Sequence, residues 1–143
     1  MKLRAPMGEV KIKIRLTNSM DEALARRNRL EPSKVRSMEV TALVDTGAIC
    51  SVVPAEVAQK LDLQIAGRRT AEYADGRKDS VGVTEPVIFD VLGRKTNEEA
   101  LVLGDEVLIG QTVLEKLDFL VDCANQRLIP NPAHPDELIT KVK

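Results

Sequence analysis

The chain offers one place where residue types and spacing suggest chemistry: Asp45, followed by the small hydroxyl residue Thr46 and then by Gly47. Residues 40–44, Val-Thr-Ala-Leu-Val, are β-branched and apolar enough to read as a buried strand, and Gly47 supplies a tight bend that a side chain would obstruct. The carboxylate is therefore expected where a core strand breaks into a loop. That is a costly place for a charge, because a buried acid without a partner is penalised. Thr46, Gly47 and Ala48 are all small and leave open space on one side of the acid, with backbone N–H groups close by. A carboxyl group so placed can give a proton to, or take one from, whatever occupies that space.

The elements that must hold this loop can be read along the chain. Residues 9–16 alternate, with Val10, Ile12, Ile14 and Leu16 on one face and Lys11, Lys13 and Arg15 on the other, as in a half-buried antiparallel strand. Residues 17–37 turn polar and charged; residues 21–27 suit a helical turn after Asn18 or Ser19, which Glu31-Pro32-Ser33 breaks. This insert reads as a solvated loop, with a position beside a binding groove or a dimer contact as the alternative. Behind Pro54, residues 55–61 carry apolar side chains three and four apart and suit a short helix.

Residues 64–70 read as a short connection and 70–83 as a hairpin whose two-residue turn is Asp75-Gly76, a pair that tolerates positive φ. Its tip has little apolar surface to pin it down, so mobility is expected there. Residues 87–91 and 100–103 read as strands joined by the turn-rich stretch 92–97. A further apolar run ends in Ile109-Gly110, where close backbone approach best explains the glycine. Val113, Leu114 and Leu117 then fall at helical spacing, and 119–123 with 127–130 form a last hairpin. Residues 131–143, with Pro132 and Pro135, read as a loose tail in which His134 has no role.

Ala42-Leu43-Val44-Asp45-Thr46-Gly47-Ala48, followed by Ser51-Val52-Val53-Pro54, resembles the active-site loop of retropepsin-like aspartic proteases. Val107-Leu108-Ile109-Gly110, leading into Gln111-Thr112-Val113-Leu114, is similar to the family's apolar-apolar-Gly segment and the short helix after it. With the order of hairpins between them, the resemblance covers residues 10–130 and points to a bacterial-type single-domain member. It implies an all-β fold, a closed barrel with one or two short helices, as one domain over 1–143 with its core at 8–130. It also implies an active site at a homodimer interface.

In that likeness Asp45 is the catalytic acid and Thr46, Gly47 and Ala48 support its loop, Thr46 by a bond across the dimer and Gly47 by offering its backbone to substrate. Ile109 and Gly110 pack against the loop, and Tyr73, Ala74, Asp75 and Gly76 belong to the flap that closes over bound peptide. Ile49 and Cys50 stand where many viral members carry two acids, so those members' specificity does not carry over.

Hydrolysis by this route needs two carboxyl groups about 3 Å apart that share one proton. The chain supplies one Asp-Thr-Gly, since Leu120-Val121-Asp122 runs into Cys123-Ala124 instead. A twofold axis would bring two copies of Asp45 together. The expected function is an aspartic endopeptidase in which a C2 homodimer activates water between two Asp45 carboxylates and cleaves extended polypeptide. The alternative is a non-proteolytic dimeric peptide-binding module of the same fold.

Composition narrows the partners. In 143 residues, 21 basic and 22 acidic side chains leave a net charge of −1, so no strong field draws the chain to nucleic acid or an anionic membrane. Tyr73, Phe89 and Phe119 are its only aromatics, too few for a base-stacking platform. No apolar run approaches the ~20 residues that span a bilayer, and Met1-Lys2-Leu3-Arg4-Ala5-Pro6 lacks the apolar core of a secretory signal, so a cytoplasmic location is expected. Cys50 and Cys123 are isolated and there is a single His, so neither a metal nor another cofactor is expected. Both cysteines read as reduced small hydrophobes, although Cys50 lies close enough to the acid loop for oxidation to bear on activity.

Overall fold

A computed structural model describes residues 9–142. The segment Met1-Lys2-Leu3-Arg4-Ala5-Pro6, read above for a secretory signal, lies outside the described residues, as does Lys143 at the end of the tail. The first strand, β1 (Val10–Asn18), keeps the alternation of its sequence: Val10, Ile14 and Leu16 are buried while Lys11, Lys13 and Arg15 are exposed. It pairs antiparallel with β2 (Ser37–Val44) on one side and β6 (Val87–Val91) on the other. Val87, Phe89 and Val91 all face inward at 0% exposure, so β6 forms the floor of the core. Each such side chain contributes about 1.5–3 kcal/mol by leaving water.

Residues 18–36 are more ordered than a solvated loop. Asn18 caps α1 (Ser19–Arg26) by accepting from the Asp21 amide at 2.9 Å, and its amide group donates to Leu61 O at 2.7 Å. Asp21 is buried and accepts from the Arg36 backbone and guanidinium at 3.0 and 3.2 Å. These bonds tie α1 to the end of α2 (Ala55–Lys60), whose residues Val57 and Ala58 enter the core. The charges of this insert hid a network, because spacing on a sequence cannot show that Asn18 and Leu61 become neighbours.

The remaining elements are β3 (Ser51–Val53), β4 (Ile65–Glu72), β5 (Lys78–Thr84), β7 (Arg94–Glu98), β8 (Ala100–Val102), β9 (Val107–Ile109), α3 (Gln111–Leu117), β10 (Phe119–Asp122) and β11 (Arg127–Pro130). Among the described residues nine strands form one sheet in the order β4-β5-β8-β3-β9-β2-β1-β6-β7, and β10 and β11 form a separate hairpin. The fold is mostly β with a few short helices. Among the described residues no pairing joins β4 to β7, and the closed barrel that the resemblance implies is not seen in this ladder. None of the described helices is long and apolar enough to cross a membrane.

Three local expectations change. β4 begins at Ile65, within the stretch read as a connection, because strand β5 pairs with it along its length. The stretch 92–97 is mostly β7, a charged strand paired with β6, and only Leu92 and Gly93, both at positive φ, make its two-residue turn. The tail has no regular structure, yet it is fastened: Asn131 N donates to Asp118 O at 3.0 Å, Ile139 N to Asp118 Oδ2 at 3.2 Å, and His134 pairs with the same carboxylate.

Candidate active site

The acid loop is built by three strands. β9 lies between β2, which leads into the loop, and β3, which leads out of it; β9 runs parallel to β2 and antiparallel to β3. The loop therefore arches over the end of β9, and the Asp45 amide continues the ladder by donating to Ile109 O at 2.9 Å. Gly110 sits directly beneath the arch. A Cβ at that position would stand 2.6 Å from the carbonyl carbon and oxygen of Cys50 and 2.8 Å from Ile49 O, and backbone cannot step aside as a flexible side chain can.

The first turn of α3 completes the seat. A helix start leaves backbone N–H groups without helical partners. Here Gln111 N donates to Ala48 O at 2.7 Å, Thr112 N and Oγ1 donate to Ile49 O at 3.2 and 2.9 Å, and Gly110 N donates to Ser51 Oγ at 2.9 Å. The loop's carbonyls and the helix's donors satisfy each other. That exchange immobilises the arch from behind while its front stays open.

On the open side Asp45 is half-buried, less enclosed than a core position, and accepts from Gly47 N at 3.0 Å through Oδ1. A Cβ on Gly47 would meet the same oxygen at 3.3 Å, so a side chain there would crowd the carboxylate. Of the strand before it only Ala42 is fully buried; Val40 and Val44 pack against the core from its margin. Thr46 is exposed, its hydroxyl without a hydrogen bond among the described residues, and Ile49 is 76% exposed.

Beside the loop lies a cavity of about 350 Å³. The loop side contributes Gly47, Ala48, Ile49, Cys50 and Val52, β8 and the residue after it contribute Leu101 and Leu103, and the β4–β5 hairpin contributes Thr70 to Tyr73. The structure thus brings Gly47, Ala48 and Tyr73 to one cavity, with Asp45 and Thr46 at its border but not among its walls. Ile109 and Gly110 stand behind the loop, and Ala74, Asp75 and Gly76 form the hairpin tip, outside the cavity. Leu101, Leu103 and Glu72 were not singled out from the sequence. The only available signal was the two-residue spacing of Leu101 and Leu103 on one face of a strand.

The hairpin tip is a three-residue loop, not the two-residue turn expected. Tyr73 N bonds Arg77 O at 2.8 Å and Gly76 N bonds Tyr73 O at 2.9 Å, and only Gly76 takes positive φ, at 88°. Asp75 instead bonds the Arg77 amide and guanidinium at 2.9 and 3.1 Å, and Arg77 lies over the Tyr73 ring at 4.6 Å. Farther down β4, Arg69 pairs with Glu99 at 3.1 Å and reaches Cys50 Sγ at 3.5 Å. Both members of that ion pair are about half exposed, so its contribution is about 0–1 kcal/mol. The hairpin is held lightly at both places.

A family model described as "gag-polyprotein putative aspartyl protease" matches residues 31–116, from ahead of β2 to within α3. The chain belongs to this retroviral-type aspartyl protease family. Comparison with curated proteins gives no match. Among solved structures, this aspartyl protease family member is similar in fold to the retroviral protease-like domain of Ddi1 from Leishmania major. Those two share 16% identity over 86% of this chain and 90% of that one, with a TM-score of 0.52.

It is also similar to the foamy viral protease-reverse transcriptase in complex with an RNA/DNA hybrid, at 17% identity and a TM-score of 0.50, over 75% of this chain but only 12% of that longer one. The EIAV protease complexed with the inhibitor HBY-793 matches at 23% identity over 55% of this chain and 77% of that one, with a TM-score of 0.46. At these identities the likeness is one of fold.

Proposed function

We propose that the chain is an aspartic endopeptidase that acts as a C2 homodimer on extended polypeptide. The observation that carries this reading is a lone Asp-Thr-Gly arch, braced from behind by Gly110 and the start of α3, open at the front and bordered by a cavity under a hairpin. Membership of an aspartyl protease family supports the chemistry. One acid per chain supports the symmetry, as do the exposed Thr46 and Ile49 beside it, a hydroxyl and an apolar side chain that a second copy would cover.

In the proposed dimer two Asp45 carboxyls hold one proton between them, since two like charges about 3 Å apart cannot both persist. The ionised acid takes a proton from a water molecule as that water attacks the scissile carbonyl. The protonated acid gives its proton to the carbonyl oxygen. Collapse of the tetrahedral intermediate returns a proton to the leaving amine. Substrate lies extended, bonded through its main chain, with alternate side chains in cavities such as the one beside Ala48. The β4–β5 hairpin acts as the flap.

Substitution Asp45→Asn is expected to lower hydrolysis of an unfolded protein substrate by about 10³-fold or more while sedimentation still shows a folded dimer. Undiminished cleavage by that variant, or full activity from a monomer, would overturn the proposal. Saturable peptide binding without turnover at any pH would place the chain with the binding-module alternative.

A further inference from the structure

Strand alternation decides which β4 side chains meet the cavity. Ala71 and Tyr73 are partly covered and face the acid loop, whereas Thr70 and Glu72 are exposed and point the other way. Arg69 shares the face of Ala71 and Tyr73. Its Nη1 donates to Cys50 Sγ at 3.5 Å, and Cys50 is a wall residue, so this guanidinium stands at the loop-side margin of the cavity. The loop side itself, Gly47 to Cys50 with Val52, holds no acid or base apart from the Cys50 thiol. Arg77, the other cation against a wall residue, lies over the Tyr73 ring toward the hairpin tip and is held there by Asp75.

Arg69 is lightly committed. Nη2 donates to a single oxygen of Glu99 at 3.1 Å, sulfur is a weak acceptor for Nη1, and the remaining N–H groups have no partner among the described residues. Both members of the Arg69–Glu99 pair are about half exposed, so a guest can compete for the same guanidinium. The planar fork of donors matches a carboxylate, which can take two parallel bonds from it. A lysine or arginine side chain would meet a like charge there, and a neutral one would leave the free donors to water. We infer that this cavity selects an acidic side chain of the polypeptide substrate, with Arg69 as the specificity-determining residue. The inference rests on the proposed endopeptidase reading and adds the side-chain class that reading leaves open.

The test uses the full chain and a library of octapeptides capped at both ends, so that only side chains carry carboxylates. Each position is varied among glutamate, glutamine, norleucine and lysine, with cleavage sites read by mass spectrometry. One subsite position should favour glutamate over its neutral isostere glutamine by about 5-fold, the size of a partly exposed ion pair, and should disfavour lysine. The preference should shrink as salt rises from about 0.05 to about 0.5 M, because the margin is open to screening ions.

Arg69→Gln should bring the glutamate-to-glutamine ratio close to one, Arg69→Lys should keep part of the preference, and Arg69→Glu should turn it toward lysine. Equal use of glutamate and glutamine at every position, or an acidic preference that survives Arg69→Gln, would overturn the inference. If the wild-type chain cleaves nothing, the endopeptidase reading has failed. The inference is then decided separately by fluorescence anisotropy on the same peptides: glutamate must bind more tightly than glutamine in an Arg69-dependent way.

Discussion

At the scale of single residues, the site depends on atoms that are absent as much as on those present. Gly110 lies at φ −88°, a conformation open to any residue, so its identity is dictated by space and not by backbone freedom. Gly110→Ala would force the Cys50 and Ile49 backbone apart. The expected cost is about 1–3 kcal/mol, a drop of roughly 3–9 °C in Tm for a domain of this size, by calorimetry. Activity should fall by more than the lost folded fraction explains, because the displaced segment is the arch that carries Asp45. An alanine variant with wild-type Tm and activity would show that the arch yields freely. This much was visible in the sequence, where a glycine after an apolar run signalled close approach, although which backbone it meets depends on residues sixty positions away.

At the scale of elements, periodicity served wherever one face is apolar. β1, β6, α2 and α3 stand where their patterns placed them, since burial of an alternating or helical stripe is a local property. It failed for β7, whose Arg-Lys-Thr-Asn-Glu has no apolar face and which is a strand only because β6 offers it a ladder. In the insert the helical turn expected after Asn18 or Ser19 is present as α1, but no pattern showed what fastens it, and there the decisive residue is Asn18. That side chain is 3% exposed and serves two elements at once, capping α1 and holding Leu61 O. Asn18→Ala would remove the cap and leave a buried carbonyl short of a donor, at a cost of about 2 kcal/mol. Urea denaturation should show a lower midpoint with an unchanged slope, and a midpoint within error of wild type would exclude the role.

At the scale of the whole molecule, the tail closes over the end of α3 through Asp118, which takes the left-handed conformation at φ 59°. Burial pulls the Asp118 carboxyl upward, but the Ile139 amide, the Asn131 side chain and His134 outweigh it and leave the group below its ordinary value of 3.8. The sign follows from the native state holding this proton less tightly than the unfolded chain does. The stabilisation is complete above pH 3.8 and is lost as pH falls through the lower native value.

Asp122 leans the same way, chiefly through hydrogen bonds from the Asn125 and Arg127 side chains, so both ends of the terminal hairpin loosen in acid. Thermal unfolding across pH should show Asp118→Asn less stable than wild type at neutral pH, with the gap narrowing as the wild-type carboxyl becomes protonated. A gap that stays constant down to low pH would rule out the carboxylate as the anchor.

What the chain's order of residues settled by itself is what adjacent residues can decide: which stretches bury a stripe, where a turn must fall, and that one acid stands before a small hydroxyl and a glycine. Its likeness to a protease loop rested on that contiguity. Only the folded molecule decided that β9 enters between β2 and β3 beneath the arch, that Glu72 and Leu101 share a cavity, and that Asn18 meets Leu61. The reason is physical. Burial and backbone preference act between near neighbours, whereas strand partner and register are chosen by the energy of the entire sheet, and polar side chains carry no periodic mark of the partner they will find.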